Sequence, residues 1–182
     1  MDTSSFHFNV GEDVNNEEHK NYIKTLLSRR TCSEVQAILS NGVLSEGQMR
    51  DAHSFWTEFG HKIRKKINND IFLEGLLRKV LPKYSGAGIT LYRGENTDRY
   101  NQGNIGFCWT ESLKVAQMFA SGLNACVSGG LLLKGNFSPQ QIISGPSAHS
   151  VYLGEMEYTI APSKLRLESI FVLKSYDQIN FL

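Results

Sequence analysis

Residues 84–94 read YSGAGITLYRG, and the character of the chain changes at this stretch. Before it, apolar residues recur at helical spacing. After it, β-branched and aromatic residues form short runs that turn residues separate. Because helices come first and strands follow, rather than alternating with them, this order predicts an α+β fold with an antiparallel or mixed sheet. We expect the helices to pack on one side of that sheet.

Apolar periodicity and capping signals give the elements. Capping boxes begin at Thr31 and Ser45, and Asn41-Gly42 is a typical helix stop. The predicted helices cover 15–28, 31–41, 45–68 and 71–80. The predicted strands cover 89–93, 106–110, 130–137, 141–143, 151–160 and 165–173, with one helix over 113–122.

Length and charge limit the classes of protein that fit. The chain has 182 residues, of which 41% are hydrophobic, and this is enough for one compact domain. Within it we expect an N-terminal arm and helical lobe at 1–83, followed by a β core at 84–182. A net charge of +1 argues against general coating of nucleic acid.

The cysteine count and the N-terminus indicate where such a chain works. Its three cysteines are scattered and form no CxxC pair or His/Cys cluster, so we expect neither a disulfide framework nor a metal site. The polar, acidic first twenty residues do not resemble a signal peptide, and no apolar run reaches the roughly 18 residues of a membrane span. These features favour a cytoplasmic protein without a membrane partner.

The first motif that carries chemistry is Tyr92-Arg93-Gly94, at the end of an apolar strand. A buried arginine requires an anion, and its fork of donors suits phosphate or carboxylate. Gly94 permits the close approach of a ligand or of another backbone segment. The alternative is an internal ion pair of Arg93 with an acidic residue of the chain. The candidates are Glu95, Glu111, Glu155 and Glu157.

Two further motifs follow in order. Residues 106–112, GFCWTES, lead from a strand into a helix, where Thr110 or Ser112 fits either a site or a helix N-cap. Residues 154–160, GEMEYTI, place Glu155 and Glu157 two positions apart, so on a strand both would point to one face. Such paired acids suit acid/base or cation-stabilising work. An exposed strand face is the alternative.

Taken together, the three motifs resemble those of the ADP-ribosyltransferase family, in the toxin-like class with Arg, Ser-Thr-Ser and Glu-x-Glu motifs. The resemblance is carried by 92–94, 107–112 and 155–157, and it spans about residues 84–175. Trp109 stands where the family has its first serine. We therefore expect the hydrogen bond that orients the catalytic glutamate to come from Thr110 or Ser112.

The resemblance implies a split β core that binds NAD as co-substrate, without a metal. It implies that Glu157 stabilises the oxocarbenium-like state and that Glu155 meets the acceptor, a protein arginine. Arg93 would hold the NAD phosphates or the adenylyl ribose and fix the orientation of NAD, and Gly94 would offer backbone groups to the nicotinamide amide. Thr110 and Ser112 would complete the cofactor-binding set.

Three other functions remain open at this point. An NAD glycohydrolase would use water as acceptor, and a non-catalytic binding module would keep the fold with Arg93 and Glu157 as an ion pair. Transfer to nucleic acid is disfavoured by the near-neutral charge, although the basic residues 64–66 leave it open. An active transferase of this class implies a bacterial or phage effector toxin that acts in the cytoplasm of a cell, made there or delivered into a host.

Overall fold

The computed structural model describes residues 44–179. The predicted helices at 15–28 and 31–41 lie outside the described residues. The helices are α1 (Glu46–Ile67), α2 (Asp70–Val80), α3 (Thr97–Asn101), α4 (Leu113–Ser121) and α5 (Ala148–Tyr152). The strands are β1 (Ile89–Asn96), β2 (Cys108–Thr110), β3 (Gly130–Phe137), β4 (Ile142–Ser144), β5 (Glu157–Ile160) and β6 (Ile170–Tyr176).

The long helix α1 begins where the sequence places it. The Ser45 side chain accepts from the Gln48 backbone, and the Gln48 side chain accepts from the Ser45 backbone in return, which confirms the predicted capping box. The helix ends at Asn68, whose left-handed φ of 49° terminates the hydrogen-bonding pattern. Apolar residues of α1 and α2, among them Trp56 and Leu77, then pack together in one core cluster.

The six strands form one sheet in the order β4-β5-β2-β1-β3-β6, and every neighbouring pair is antiparallel. The helices before β1 and the antiparallel sheet after it confirm the α+β prediction. The longest pairing joins all eight residues of β1 to β3. Towards the β4 edge, β2 and β5 pair at only three positions, so the strands are short in this part of the sheet.

The helices α1 and α4 lie on the same face of the sheet. From α1, the Trp56 indole N–H donates to the Thr159 hydroxyl of β5 at 3.0 Å. From α4, the backbone at Ala116 and Ala120 lies so close to Gly94 of β1 that a Cβ there would collide with it. The strand registers place Thr159 and Gly94 on one face. The prediction that the helices pack on one side of the sheet therefore holds for α1 and α4. A gap separates these two helices.

Two predicted strands are wrong over part of their length. The prediction of a strand over 151–160 fails because Ala148–Tyr152 forms α5, which Ser147 caps, and β5 starts only at Glu157. The prediction of a strand over 165–173 fails because a 3-10 turn at Leu167–Ser169 precedes β6. In both segments the β-branched or aromatic residues favoured a strand prediction, although short capping signals for a helical turn were also present.

Other boundaries shift by a few residues. Strand β1 extends three residues beyond Arg93, so this arginine lies within the strand rather than at its end. Strand β2 is shorter than predicted and starts at Cys108 instead of Gly106. The short helix α3, which follows β1 directly, was not predicted.

Candidate active site

A cleft of about 830 Å³ opens between α1 and α4, above the β2–β5 part of the sheet. Its walls include Trp56 of α1 and Phe119 of α4, while Cys108 and Glu157 contribute from the strands. A smaller cavity of about 120 Å³ adjoins it. The residues that line both are Arg93, Cys108, Phe119, Glu155 and Glu157. Residues of the first and third sequence motifs therefore meet in one place.

Strand register places Glu157 beside Cys108 and Thr110. Thr110 lies directly opposite Glu157, and Cys108 lies opposite Thr159, so all four side chains share a face. Cys108 and Glu157 also line both cavities together. Trp109 points to the other face, where it packs against Phe137 with ring centroids 4.8 Å apart.

The Glu157 carboxyl group is poised to titrate near neutral pH. Burial raises its pKa from the ordinary 4.5 to about 7, and the negative charge of Glu155 adds to the rise. The Cys108 thiol and the positive charge of Arg93 act in the opposite direction. A carboxylate in this setting is poorly solvated, so it would interact strongly with a cation that enters the cleft.

Arg93 is held by Glu95, two residues further along the same strand. The Arg93 Nε donates to Glu95 at 2.7 Å, and a guanidinium nitrogen also bonds to the carbonyl oxygen of Cys108. Although burial opposes the charged form, the negative charge of Glu95 raises the pKa of Arg93 above its usual value. Gly106 makes room for this arrangement, because a Cβ there would overlap the guanidinium.

Glu95 serves two arginines at once. It is fully buried, and its second oxygen is 3.3 Å from the Arg99 Nε of α3. It also accepts from the backbone N–H groups of Asn96 and Gly106. Although burial opposes ionisation, the positive charges of Arg93 and Arg99, together with the hydrogen bonds from Arg93 and Gly106, hold the pKa of Glu95 below its usual value. One carboxylate thus faces two guanidinium groups, and the trio carries a net positive charge at the cleft wall.

The acidic motif is fixed by its backbone. The Thr110 hydroxyl donates to the Glu155 carbonyl oxygen at 2.6 Å, and the Ser150 hydroxyl accepts from the Glu157 N–H at 2.6 Å. Met156 between them has a left-handed φ of 48°. Glu155 therefore precedes the strand instead of lying on it, and the prediction that both acids share a strand face is wrong. Both nevertheless line the cleft.

The remaining predicted residues have structural partners. Ser112 is the N-cap of α4, since its hydroxyl accepts from the Val115 N–H at 3.3 Å. The described residues that line the two cavities do not include Ser112. Gly94 lines the smaller cavity, but the close approach that it permits is that of α4, and its carbonyl oxygen accepts from Asn124. The hydroxyl bond to Glu157 that was expected from Thr110 or Ser112 is absent among the described residues, because the Thr110 hydroxyl donates to the Glu155 carbonyl oxygen and the Ser112 hydroxyl caps α4.

Three cleft residues, Cys108, Arg99 and Arg64, were missed by sequence reasoning or given another role. Glu95 was one of the four partners that the sequence offered for Arg93. Arg64 of α1 forms a two-bond ion pair with Asp70, at 2.9 and 2.6 Å. Strand alternation could have revealed Cys108, because it shares the parity of Thr110. Arg64 and Arg99 lie on helices whose position over the sheet is not encoded in any local pattern.

Comparisons with known proteins do not identify the site, so its function is inferred from its chemistry. A scan against family models, a search of curated proteins and a search of solved structures each found no match. None of the helices between residues 44 and 179 is both long and apolar enough to cross a membrane. Over the same range, His, Cys, Asp and Glu side chains form no group of three that could hold a metal ion.

Proposed function

We propose that this protein is an NAD-dependent mono-ADP-ribosyltransferase that modifies a protein acceptor on arginine. The observation that carries the proposal is that Arg93 and Glu157, 64 positions apart in the chain, line one cleft together. Arg93 lies on β1 and Glu157 lies on β5. Strand β2, which carries Cys108 and Thr110, pairs with both of these strands. This is the combination of anion-binding arginine and buried carboxylate that the reaction requires.

The chemistry follows from the position of Glu157. The bond between the ribose and the nicotinamide nitrogen breaks, and its electron pair leaves with the neutral nicotinamide. Positive charge then develops on the ribose, and a carboxylate in a buried site stabilises it strongly. A guanidinium nitrogen of the acceptor forms the new bond to the ribose carbon and loses a proton. Glu155, at the cleft wall, is placed to receive that proton.

The diphosphate of NAD would lie against the arginines of β1 and α3. Arg93 and Arg99 share the single carboxylate of Glu95, so the trio keeps one uncompensated positive charge for an anionic ligand. The cleft volume of about 830 Å³ lies within the range of small-molecule and cofactor sites. The half-buried ring of Phe119 supplies aromatic surface in the same cleft.

The pairing of Arg93 weighs against a purely structural module. Such a module would use Arg93 and Glu157 to neutralise each other. In the described chain the ion pair of Arg93 is with Glu95. Among residues 44–179 the Glu157 carboxyl group forms no ion pair within 4 Å, and burial raises its pKa to about 7. A buried carboxyl group held in this way costs stability, and retention of such a cost is typical of a functional site.

The experiment is transfer of label from NAD. Purified protein is incubated with biotin-labelled NAD and a bacterial lysate, beside Glu157→Gln and Glu155→Gln, and nicotinamide release is measured in parallel. We expect labelled bands with the native protein and none with Glu157→Gln. Glu155→Gln should still release nicotinamide while labelling fails. Nicotinamide release by the native protein without any labelled band would instead make it an NAD glycohydrolase, and neither signal would favour a binding module.

A further inference from the structure

Arg64 connects three parts of the chain at the wall of the cleft. From α1, its Nε donates to one carboxylate oxygen of Asp70 at 2.9 Å and its Nη2 to the other at 2.6 Å. Asp70 is the first residue of α2. The same Nη2 also donates to the side-chain oxygen of Asn104 and, at 3.3 Å, to the carbonyl oxygen of Ile105. One guanidinium group therefore ties both helices to residues 104–107, which lead into β2 and which we call the connecting segment.

The Arg64 guanidinium has a fixed orientation. Its side chain is 16% exposed, and its central carbon lies 5.5 Å from the centroid of the Phe107 ring. Phe107 is buried and packs edge-on against Trp56, with ring centroids 5.6 Å apart. A two-bond pair of a guanidinium with a carboxylate sets direction as well as distance. The Asp70 carboxylate and the Phe107 ring therefore leave Arg64 little freedom, and the connecting segment shares this restriction.

The connecting segment contacts both arginines of the anion-binding wall. The Gly106 N–H donates to Glu95 at 2.8 Å, and the same carboxylate oxygen accepts from the Arg93 Nε. A Cβ at Gly106 would overlap the Arg93 guanidinium, so the backbone passes directly against it. The Asn104 N–H donates to the carbonyl oxygen of Arg99 at 2.8 Å. The place of the connecting segment therefore influences the place of Arg93 and of Arg99.

We propose that Arg64 is a positioning residue that fixes the connecting segment, which in turn holds Arg93 and Arg99 where one diphosphate can contact both. The connecting segment belongs to neither a helix nor a strand, so its backbone depends on such contacts for its place. A shift of Gly106 would remove a hydrogen bond from Glu95 and the backbone against which the Arg93 guanidinium lies. Binding that needs two guanidinium groups at a set separation is sensitive to such a shift. The identity of the ligand as the diphosphate of NAD rests on the proposed function, whereas the binding of a diphosphate does not.

Two variants separate a positioning role from attraction by charge. Asp70 also lines the cleft, so on charge alone Asp70→Asn should strengthen the binding of an anion. If Asp70 instead acts by holding Arg64, the same variant should weaken that binding. Arg64→Lys keeps the positive charge but lacks the planar fork of donors, so it should weaken binding as well if orientation matters. Positioning and charge alone therefore predict opposite signs for Asp70→Asn.

The test is a calorimetric titration of the full chain with inorganic pyrophosphate at constant ionic strength. We expect Asp70→Asn and Arg64→Lys each to raise the dissociation constant about three- to tenfold. Arg50→Gln is the matched control, because Arg50 lies on the same helix in an exposed ion pair with Glu46 at 3.8 Å, and it should leave the dissociation constant unchanged. Hydrogen exchange at the Gly106 amide should be about tenfold faster in Asp70→Asn and Arg64→Lys and unchanged in Arg50→Gln.

Pyrophosphate binding to Asp70→Asn that is as tight as native binding, or tighter, would overturn the inference. So would a native exchange rate at Gly106 in that variant, or no pyrophosphate binding by the native protein. With NAD as substrate, Asp70→Asn and Arg64→Lys should raise KM by a similar factor at unchanged kcat, while nicotinamide riboside should be turned over normally. An equal loss with both substrates would mean a general loss of structure and would also overturn the inference. If pyrophosphate binds as expected but the native protein leaves NAD intact, the proposed enzymatic function fails and the positioning role of Arg64 stands.

Discussion

Cys108 and Glu157 lie on the same face of the β2–β5 pair, and both side chains line the cleft. Burial of the Cys108 thiol, together with the nearby Glu157 charge, keeps the pKa of Cys108 well above its usual value, so it remains protonated. The thiol acts on Glu157 in favour of the charged carboxylate, so Cys108 counteracts part of the effect of burial, which raises the pKa of Glu157.

The activity should increase with pH around neutrality. Glu157 stabilises a cation only when it is ionised, and its pKa in the free protein is raised to about 7. Below that value most molecules carry a protonated carboxyl group, so kcat/KM for nicotinamide release should fall about tenfold for each pH unit. A profile from pH 5 to 9 measures this. A flat profile, or one that falls with rising pH across this range, would contradict the role of Glu157.

Removal of the thiol should shift that profile. In Cys108→Ala the thiol that lowers the pKa of Glu157 is lost, so the midpoint should move above 7. Cys108→Ser keeps a donor and should leave the midpoint near its original position. Cys126→Ser is the matched control, since that cysteine bonds to the Gly122 carbonyl oxygen outside the cleft. Identical midpoints for Cys108→Ala and the native protein would refute the contact.

The sequence predicted the acids and the arginine but not what holds them. Arg93 and Glu157 stand in short motifs with recognisable strand contexts, so local reasoning found them. The partner of Arg93 was left open among four glutamates, and the choice of Glu95 depends on how Gly106 lets the guanidinium turn. That choice is a property of packing around the start of β2, which no single motif contains.

The role of Cys108 was missed because of strand parity. The motif comparison centred on Trp109 and Thr110, yet successive strand residues point to opposite faces. Trp109 is 1% exposed in the core on one face, and so Cys108 and Thr110 lie together on the other. The five-residue helix α5 was missed for a different reason: it is too short for the 3.6-residue period to be detectable.

Arg99 should matter for binding of the diphosphate. Arg99→Gln removes one of the two guanidinium groups that share Glu95, so KM for NAD should rise about tenfold while kcat stays within about twofold. Nicotinamide riboside, which lacks the diphosphate, should be turned over equally by both proteins. Arg166→Gln removes an exposed arginine as control. A fall in kcat at unchanged KM would place Arg99 elsewhere in the reaction.

Gly94 should be required for the packing of α4. A methyl group there would collide with backbone atoms of Ala116, Phe119 and Ala120, so Gly94→Ala should lower the free energy of unfolding by about 1–3 kcal/mol or more. Gly75→Ala in α2 is the control, because a Cβ there meets no atom within 4 Å. It should stabilise by about 0.5–1 kcal/mol through helix propensity. Equal effects in urea unfolding would show that α4 does not pack on Gly94 as described.

Neutralising Glu157 should stabilise the fold at alkaline pH. Its folded-state pKa of about 7 lies above the unfolded value of 4.5, so the folded protein retains a proton that the unfolded chain releases. The contribution is fully present below pH 4.5 and is lost as the pH rises through 7. At pH 8, Glu157→Gln should therefore raise the free energy of unfolding by about 1–2 kcal/mol, with little change at pH 4. A lower stability at pH 8 would mean that the carboxylate is well compensated in the fold.

The most direct test of the central claim compares NAD binding with nicotinamide release in the native protein and in Glu157→Gln. Calorimetry gives the affinity for NAD, and a single-turnover assay gives the rate at which the bond to nicotinamide breaks. The account predicts that Glu157→Gln binds NAD within about threefold of the native affinity and breaks the bond at least about a hundredfold more slowly. Equal rates in the two proteins, or no binding of NAD to either, would contradict it.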